Sequence, residues 1–294
     1  MAVVHDLLLA GADHPLRHFY ADLTPAPESP ANMCPPAFGT SVYDTPQPST
    51  CRLQTRLVQT NKVQGASYLY PVFGLIEQEM DLPLSVIDLG PSAGHLLLWD
   101  RFRYDYGTGP LVGPPEGRLT LRAEWRGEAP APPRLRTRVA FRRGVDLNAL
   151  NVRNPRDLRW LQAPNWPEAP DLRVFWTRPC VRVHSTADTR GRGWGGAPAV
   201  AAGGSPPGTV PVVFHLHVAN QMPPTVRERL VRQIRARGRT RPVVHLDNKV
   251  HPERGLYLDV VSRTGATRRR LGLEDGHGRW FEWQACPPVP FWDT

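Results

Sequence analysis

The stretch Leu84-Ser-Val-Ile-Asp-Leu-Gly-Pro-Ser-Ala-Gly94 limits what this chain can become more than any other. Its apolar, β-branched start reads as a buried strand, and the strand ends on Asp88 and a cluster of small residues. His95 to Trp99 then offer an apolar helix start. Strand, tight turn and helix make the repeating unit of an α/β sheet, whose ligands bind at the carboxyl ends of the strands. Gly90 and Gly94 permit the turn and a close backbone approach, and Asp88 can accept a hydrogen bond from a ribose or an amine. Read this way, Asp88, Gly90, Ser92 and Gly94 form a nucleotide-binding turn. The pattern Gly90-x-Ser92-x-Gly94 also spells a nucleophile elbow, with Ser92 attacking, Asp247 as acid and His251 or His277 as base. Both readings need the same local structure, so the rest of the chain has to order them.

Downstream, the periodicities fit an α/β sheet with helices on its faces. Arg118–Trp125 alternates like a second strand, and its Glu124 lies where an acidic ribose ligand is expected. Asn154–Leu161 looks like a short capped helix. Val210–Leu216 is a buried-type strand followed by His217, Asn220 and Gln221, and Pro224 opens a helix that ends near Gly238. Val243–Leu246 is another strand, and Leu256–Ser262 with Arg279–Trp283 suggests a closing antiparallel hairpin. Upstream, helical spacing from Cys51 to Met80 is interrupted by Pro71 and carries the polar knot Gln59-Thr-Asn-Lys62. Residues 1–80 thus read as a helical and loop cap, and 81–294 as the sheet domain with a flexible loop at about 187–208.

Composition narrows the partners. The net charge is +9, yet Lys62 and Lys249 are the only lysines, so arginine carries nearly all the positive charge. Arginine's planar fork suits carboxylate, phosphate or sulfate, which makes an anionic small-molecule substrate the expectation. The arginines are spread along the chain without a nucleic-acid motif, so nucleic acid is not expected. Cys34, Cys51, Cys180 and Cys286 show no metal or disulfide spacing, and no run is long enough for a membrane span. The expectation is a cytoplasmic protein without a metal.

Several stretches together resemble the bacterial domain-of-unknown-function family 2332. They are Asp13-His-Pro-Leu16, Gln59-Thr-Asn61, Gly90–Gly94, Trp99-Asp-Arg101, Tyr104-Asp-Tyr106, Arg143-Gly-Val-Asp-Leu147, Trp166-Pro-Glu168, Val213-Phe-His215 and His277–Trp280 with Glu282-Trp283. The resemblance implies a Rossmann-like fold similar to class I S-adenosylmethionine-dependent methyltransferases, with helices on both faces. It also implies that cofactor, held by Asp88, Gly90, Ser92, Gly94 and Glu124. Gln59, Asn61, Lys62, Arg101, Asn220 and Gln221 would position a small-molecule substrate, and His217 would serve as base. This chain departs from the family pattern in three ways. Lys62 stands where the family has Glu, His95-Leu96 replaces Leu-Asn, and helices usually found ahead of the first residue are absent from the sequence. These departures open two alternatives within the same fold. One is a cofactor-free elimination or cyclisation in natural-product assembly, with sulfate or phosphate leaving. The other is a non-catalytic subunit in a heteromer with a full-length homologue.

Overall fold

The computed structural model describes residues 2–29, 63–127, 137–164, 183–185, 204–248, 250, 253–284 and 286–290. Its helices, in chain order, include α1 (Ala2–Leu9), α2 (Ala66–Met80), α3 (Pro155–Gln162) and α4 (Pro224–Gly238). Two compact units emerge, one of Met1–Asn61 with Leu150–Pro179, the other of Lys62–Ala149 with Cys180–Thr294. Helix α2, expected in the cap, belongs to the second unit.

In the first unit, α1 brings Val4 and Leu8 against Leu16 and Tyr20. Buried His5 bonds through Nδ1 to the Ala163 carbonyl at 3.1 Å and through Nε2 to Asp22 at 2.7 Å. Arg159 of α3 donates to Asp6 at 3.1 Å, so this small core is closed largely by polar bonds. As expected, α3 is capped by Asn154, which accepts from the Arg156 amide at 2.9 Å, with Pro155 at the first helical position.

The second unit is a mixed α/β layer. Strands β1 (Leu84–Leu89), β2 (Arg103–Asp105), β3 (Thr120–Arg122), β4 (Glu124–Arg126), β5 (Val139–Asp146) and β6 (Val183–Ser185) precede β7 (Val210–His215) and β8 (Val243–Asp247). They are followed by β9 (Leu256–Ser262), β10 (Gly265–Glu274), β11 (Trp280–Trp283) and β12 (Val289–Pro290). Nine strands run in the order β4-β11-β10-β9-β8-β7-β1-β5-β6, with β12 paired to β10, while β2 and β3 pair separately. From β6 to β8 all pairs are parallel, and from β8 to β11 they are antiparallel. The expected closing hairpin is therefore β9 with β10, since Gly265–Glu274 inserts between the two segments read as partners. That insertion was hidden because its Thr-Arg-Arg-Arg run carries no apolar alternation.

Every residue of β1, β7 and β8 is buried, as strands covered on both faces must be. One face packs on α4: Ile87, Leu89, Val213 and Val243 cluster with Leu230 and Ile234. The alternate face packs on α2, where the Phe73 ring lies 5.5 Å from Phe214 and 4.6 Å from Trp99. Helices on opposite faces thus follow from strand alternation. α2 runs straight through Pro71, which cannot donate to the carbonyl four residues back at Ser67. The buried Tyr106 hydroxyl donates to that carbonyl at 2.6 Å, so the vacancy left by the proline is filled from a neighbouring segment.

Beneath α4's face lies a polar seam. His215 and His245 meet Nε2 to Nε2 at 3.0 Å, so one ring must donate and the other accept. Burial, then the neighbouring His245, lowers His215 to about 3. Burial pushes Asp259 up, but Arg268, bonded at 2.7 and 2.9 Å, and His245 overcome it and hold the carboxyl at about 2. His215 therefore stabilises the fold only while neutral. Its contribution is whole above the ordinary value of 6.5 and falls as pH drops toward about 3. Replacing His215→Leu removes this titration, so the stability gap between wild type and variant should shrink by about 2 kcal/mol from pH 7.5 to pH 5. Urea unfolding of both proteins at the two pH values reads this directly, and an unchanged gap would refute it.

Candidate functional site

The strand order reverses between β1 and β7: from β1 the chain moves outward to β5 and β6, then returns to β7 and β8. Such a reversal leaves a crevice at the carboxyl ends of the two central strands. Among the described residues, two of the three non-glycine residues with left-handed backbone stand at this point, Ser92 (φ 56°) after β1 and His217 (φ 64°) after β7. Strain of this kind persists only where the surroundings enforce it, and it gathers at functional sites.

The turn after β1 is held from β5. Gly90 (φ 82°) and Gly94 (φ 83°) supply its left-handed corners. The Gly90 amide donates to the Val145 carbonyl at 2.9 Å, and the Ser92 amide donates to Asp146 Oδ2 at 2.7 Å. Asp146 Oδ1 accepts from the Asn148 amide at 2.8 Å, so one buried carboxylate ties its own strand end to its neighbour's turn. Asp88 pairs in register with Gly144, two residues before Asp146, and shares its face of the sheet. Burial, then the charge of Asp146, raises the Asp88 carboxyl well above the usual carboxylate range, which favours its neutral form. Its Oδ2 and the Ser92 Oγ are buried and lack hydrogen-bond partners among the described residues. Beyond Gly94 the chain forms a 3-10 helix, His95–Arg101, instead of the expected α-helix, with non-helical dihedrals at Leu98. Burial lowers His95 there to about 3.

The segments after β7 and β8 build the other wall. The His217 amide donates to Asn248 Oδ1 at 2.9 Å. Asn248 Nδ2 then faces His217 Nε2 at 3.4 Å and donates to Glu274 Oε1 at 3.0 Å. Because Asn248 Oδ1 is an acceptor, its amide nitrogen must point to both groups, which makes His217 Nε2 an acceptor as well. Glu274 also accepts from the Gly276 amide. The Tyr68 phenol stays protonated, raised by burial and then by Glu274 and Asp275. A methyl group placed on Gly65 would lie 3.2 Å from Leu216, 3.3 Å from the Tyr68 hydroxyl and 3.6 Å from Leu96. The segments leaving β1 and β7 therefore converge on Gly65, just before α2.

The structure brings Asp88, Gly90, Ser92, Gly94 and His217 to one carboxyl edge. Asn220 and Gln221 follow as the exposed half of a 3-10 turn, and Arg101 is exposed at the end of its 3-10 helix. Glu124 is not brought there. It is exposed on β4, bonded to Arg126 at 2.6 Å, and five strands separate β4 from β1. The expected second strand in fact divides at Ala123, β3 pairing with β2 and β4 with β11. The strand beside β1 is β5, and the acid at its end is Asp146, whose place was legible in Arg143-Gly-Val-Asp-Leu147. Asn248 and Glu274 were missed because sequence spacing carries no sign of their meeting. Gln59, Asn61, Lys62, Lys249 and His251 lie outside the described residues. No imidazole reaches Ser92 Oγ among the described residues. Those residues also contain no metal-holding group and no helix long and apolar enough to cross a membrane.

If Asp88 is already neutral, Asp88→Asn should change stability by less than about 1 kcal/mol at pH 7. Asp146→Asn leaves one of two amides facing an NH2 group and should cost about 1.5–3 kcal/mol. Urea midpoints of the two variants test the assignment, and equal losses would overturn it.

The profile of a family described as "Uncharacterized protein conserved in bacteria (DUF2332)" matches residues 1–283. Neither the curated proteins nor the solved structures contain a match.

Proposed function

Since this chain belongs to the bacterial family DUF2332, we propose its function from the site: a Rossmann-like, methyltransferase-type enzyme that binds S-adenosylmethionine and methylates a small molecule. The observation that carries this reading is the pair of carboxyl groups, Asp88 and Asp146, at the ends of adjacent parallel strands beside the point where the strand order reverses. The parallel order β6-β5-β1-β7-β8 is also that of doubly wound nucleotide-binding sheets.

The charge at the turn discriminates among ligands. A phosphate or a departing sulfate would meet two acids and a Ser92 amide already engaged by Asp146, and the 3-10 helix offers no α-helical dipole behind it. A cationic ligand rich in hydroxyl and amine donors meets the opposite situation. Asp88 Oδ2 and Ser92 Oγ, buried without partners among the described residues, are suited to its amine and hydroxyls. This favours S-adenosylmethionine over both a dinucleotide and the elimination chemistry. When bound, the cofactor supplies an electrophilic methyl group. The protein's part is alignment of the acceptor and removal of its proton. Asp88 holds the cationic end, Gly90 and Gly94 let the backbone approach, and His217 takes the proton at Nε2, giving up the long hydrogen bond it accepts there from Asn248, whose Nδ2 keeps Glu274.

Proton linkage provides the test. Burial raises Asp88 in the free protein and a cation beside it draws the carboxyl back down, so binding favours proton release and strengthens as pH rises. Calorimetric titration with S-adenosylmethionine and S-adenosylhomocysteine, in buffers of different ionisation enthalpy at pH 7.5, should show micromolar binding with that release. Asp88→Asn should lose both. Absence of binding by either ligand would reject the cofactor, and full binding by Asp88→Asn would reject the role of Asp88.

A further inference from the structure

Arginines that look scattered along the sequence are gathered by the fold. α4 turns Leu230 and Ile234 into the sheet. Its outer side and Val250, just after β8, bound an open groove of about 980 Å³. Arg227, Arg232, Arg235 and Arg239 line it, over the apolar side chains of Val231, Ala236 and Val250. From Arg227 to Arg239 the helix advances about 18 Å. Among the described residues Glu228 is the one acid in this lining, 3.9 Å from Arg232 with both side chains mostly exposed.

Folding accounts for some of these charges. Arg235 and Arg237 occupy the last turn of α4, where the helix dipole favours cations. Arg227 occupies the first turn, where the dipole opposes it, and that turn contains no acidic residue. A cation kept against the dipole, on an outward face, answers to something other than the helix.

The groove's lining selects the class of occupant. Among the described residues it contains no aromatic side chain on which the bases of a single strand would stack. A duplex engages phosphates with arginine and has no use for an apolar floor. A second copy of this chain offers acids that face its own arginines: Glu77 lies 2.7 Å and the exposed Asp81 3.4 Å from Arg138, and Glu79 lies 2.6 Å from Arg269. The geometry points to a docking groove for an acidic amphipathic helix of a different protein. Its apolar side rests on Val231, Ala236 and Val250, and its carboxylates take Arg227, Arg232 and Arg239.

Fluorescence anisotropy tests this with a labelled helical peptide of about four turns, carrying leucines on one face and glutamates beside them, and its Glu→Gln counterpart. A duplex DNA and a single-stranded DNA serve as competitors. The full chain should bind the acidic peptide at micromolar Kd and the glutamine peptide at least tenfold more weakly. Arg227→Gln with Arg232→Gln, both kept helix-compatible, should weaken the acidic peptide about tenfold. Ala236→Glu, an exposed change on the floor, should abolish binding. Wild-type affinity in either variant, or DNA binding more tightly than the peptide and displacing it, would overturn the proposal.

Discussion

Strand β1 is dry on both faces, and this constraint organises the sheet unit. With all six of its residues buried and parallel neighbours on either side, the strand can meet polar chemistry only at its ends. At the carboxyl end the chain must turn, and turning exposes amides that need acceptors. Asp146 serves as one, reaching from β5 to the Ser92 amide. Burial, with the charge of Asp146 beside it, in turn raises the Asp88 carboxyl well above its ordinary value. A structural need thus leaves behind a poised acid, and site chemistry grows out of satisfying a turn.

The same economy appears around α2. Pro71 removes a helical donor, and the Tyr106 hydroxyl replaces it. Tyr104 and Tyr106 stack with rings 6.1 Å apart, and Tyr104 lies 4.6 Å from Tyr70. The aromatic and charged run Trp99–Tyr106 brings its rings inside: Trp99, Phe102, Tyr104 and Tyr106 are all buried. Of its charged members Arg101 is exposed and Asp100, Arg103 and Asp105 are half-buried, so alternation there marks a boundary between core and solvent.

Much of the sheet unit was legible because buried parallel strands announce themselves. β1, β7, β8 and the helix between β7 and β8 appear as apolar runs with clear punctuation. β5 was harder, since Arg142 and Arg143 interrupt it; Arg142 reaches Asp100 at 2.6 Å, a partner that no local pattern reveals. Misreading the neighbour of β1 displaced the second acid of the site to Glu124. In the same way His217 could be chosen from its place after a strand, whereas Asn248 and Glu274 depend on strands that pair far apart in sequence. Local pattern finds the elements and the residues at their ends; who meets whom is decided by the sheet.

The position of β1 also bears on how the chain is made. Its two neighbours are β5 and β7, and the second of these pairs Leu84 with Val210. On the ribosome β1 emerges long before β7 exists to cover its edge, and the antiparallel strands that extend the sheet come later still. For that interval an apolar strand with an open hydrogen-bonding edge waits in solution, the situation in which chains pair with the wrong partner. Parallel pairing across such separations is intrinsically slow. Recovery of soluble protein should therefore respond more to the pace of synthesis and to chaperone supply than to any change on the finished surface.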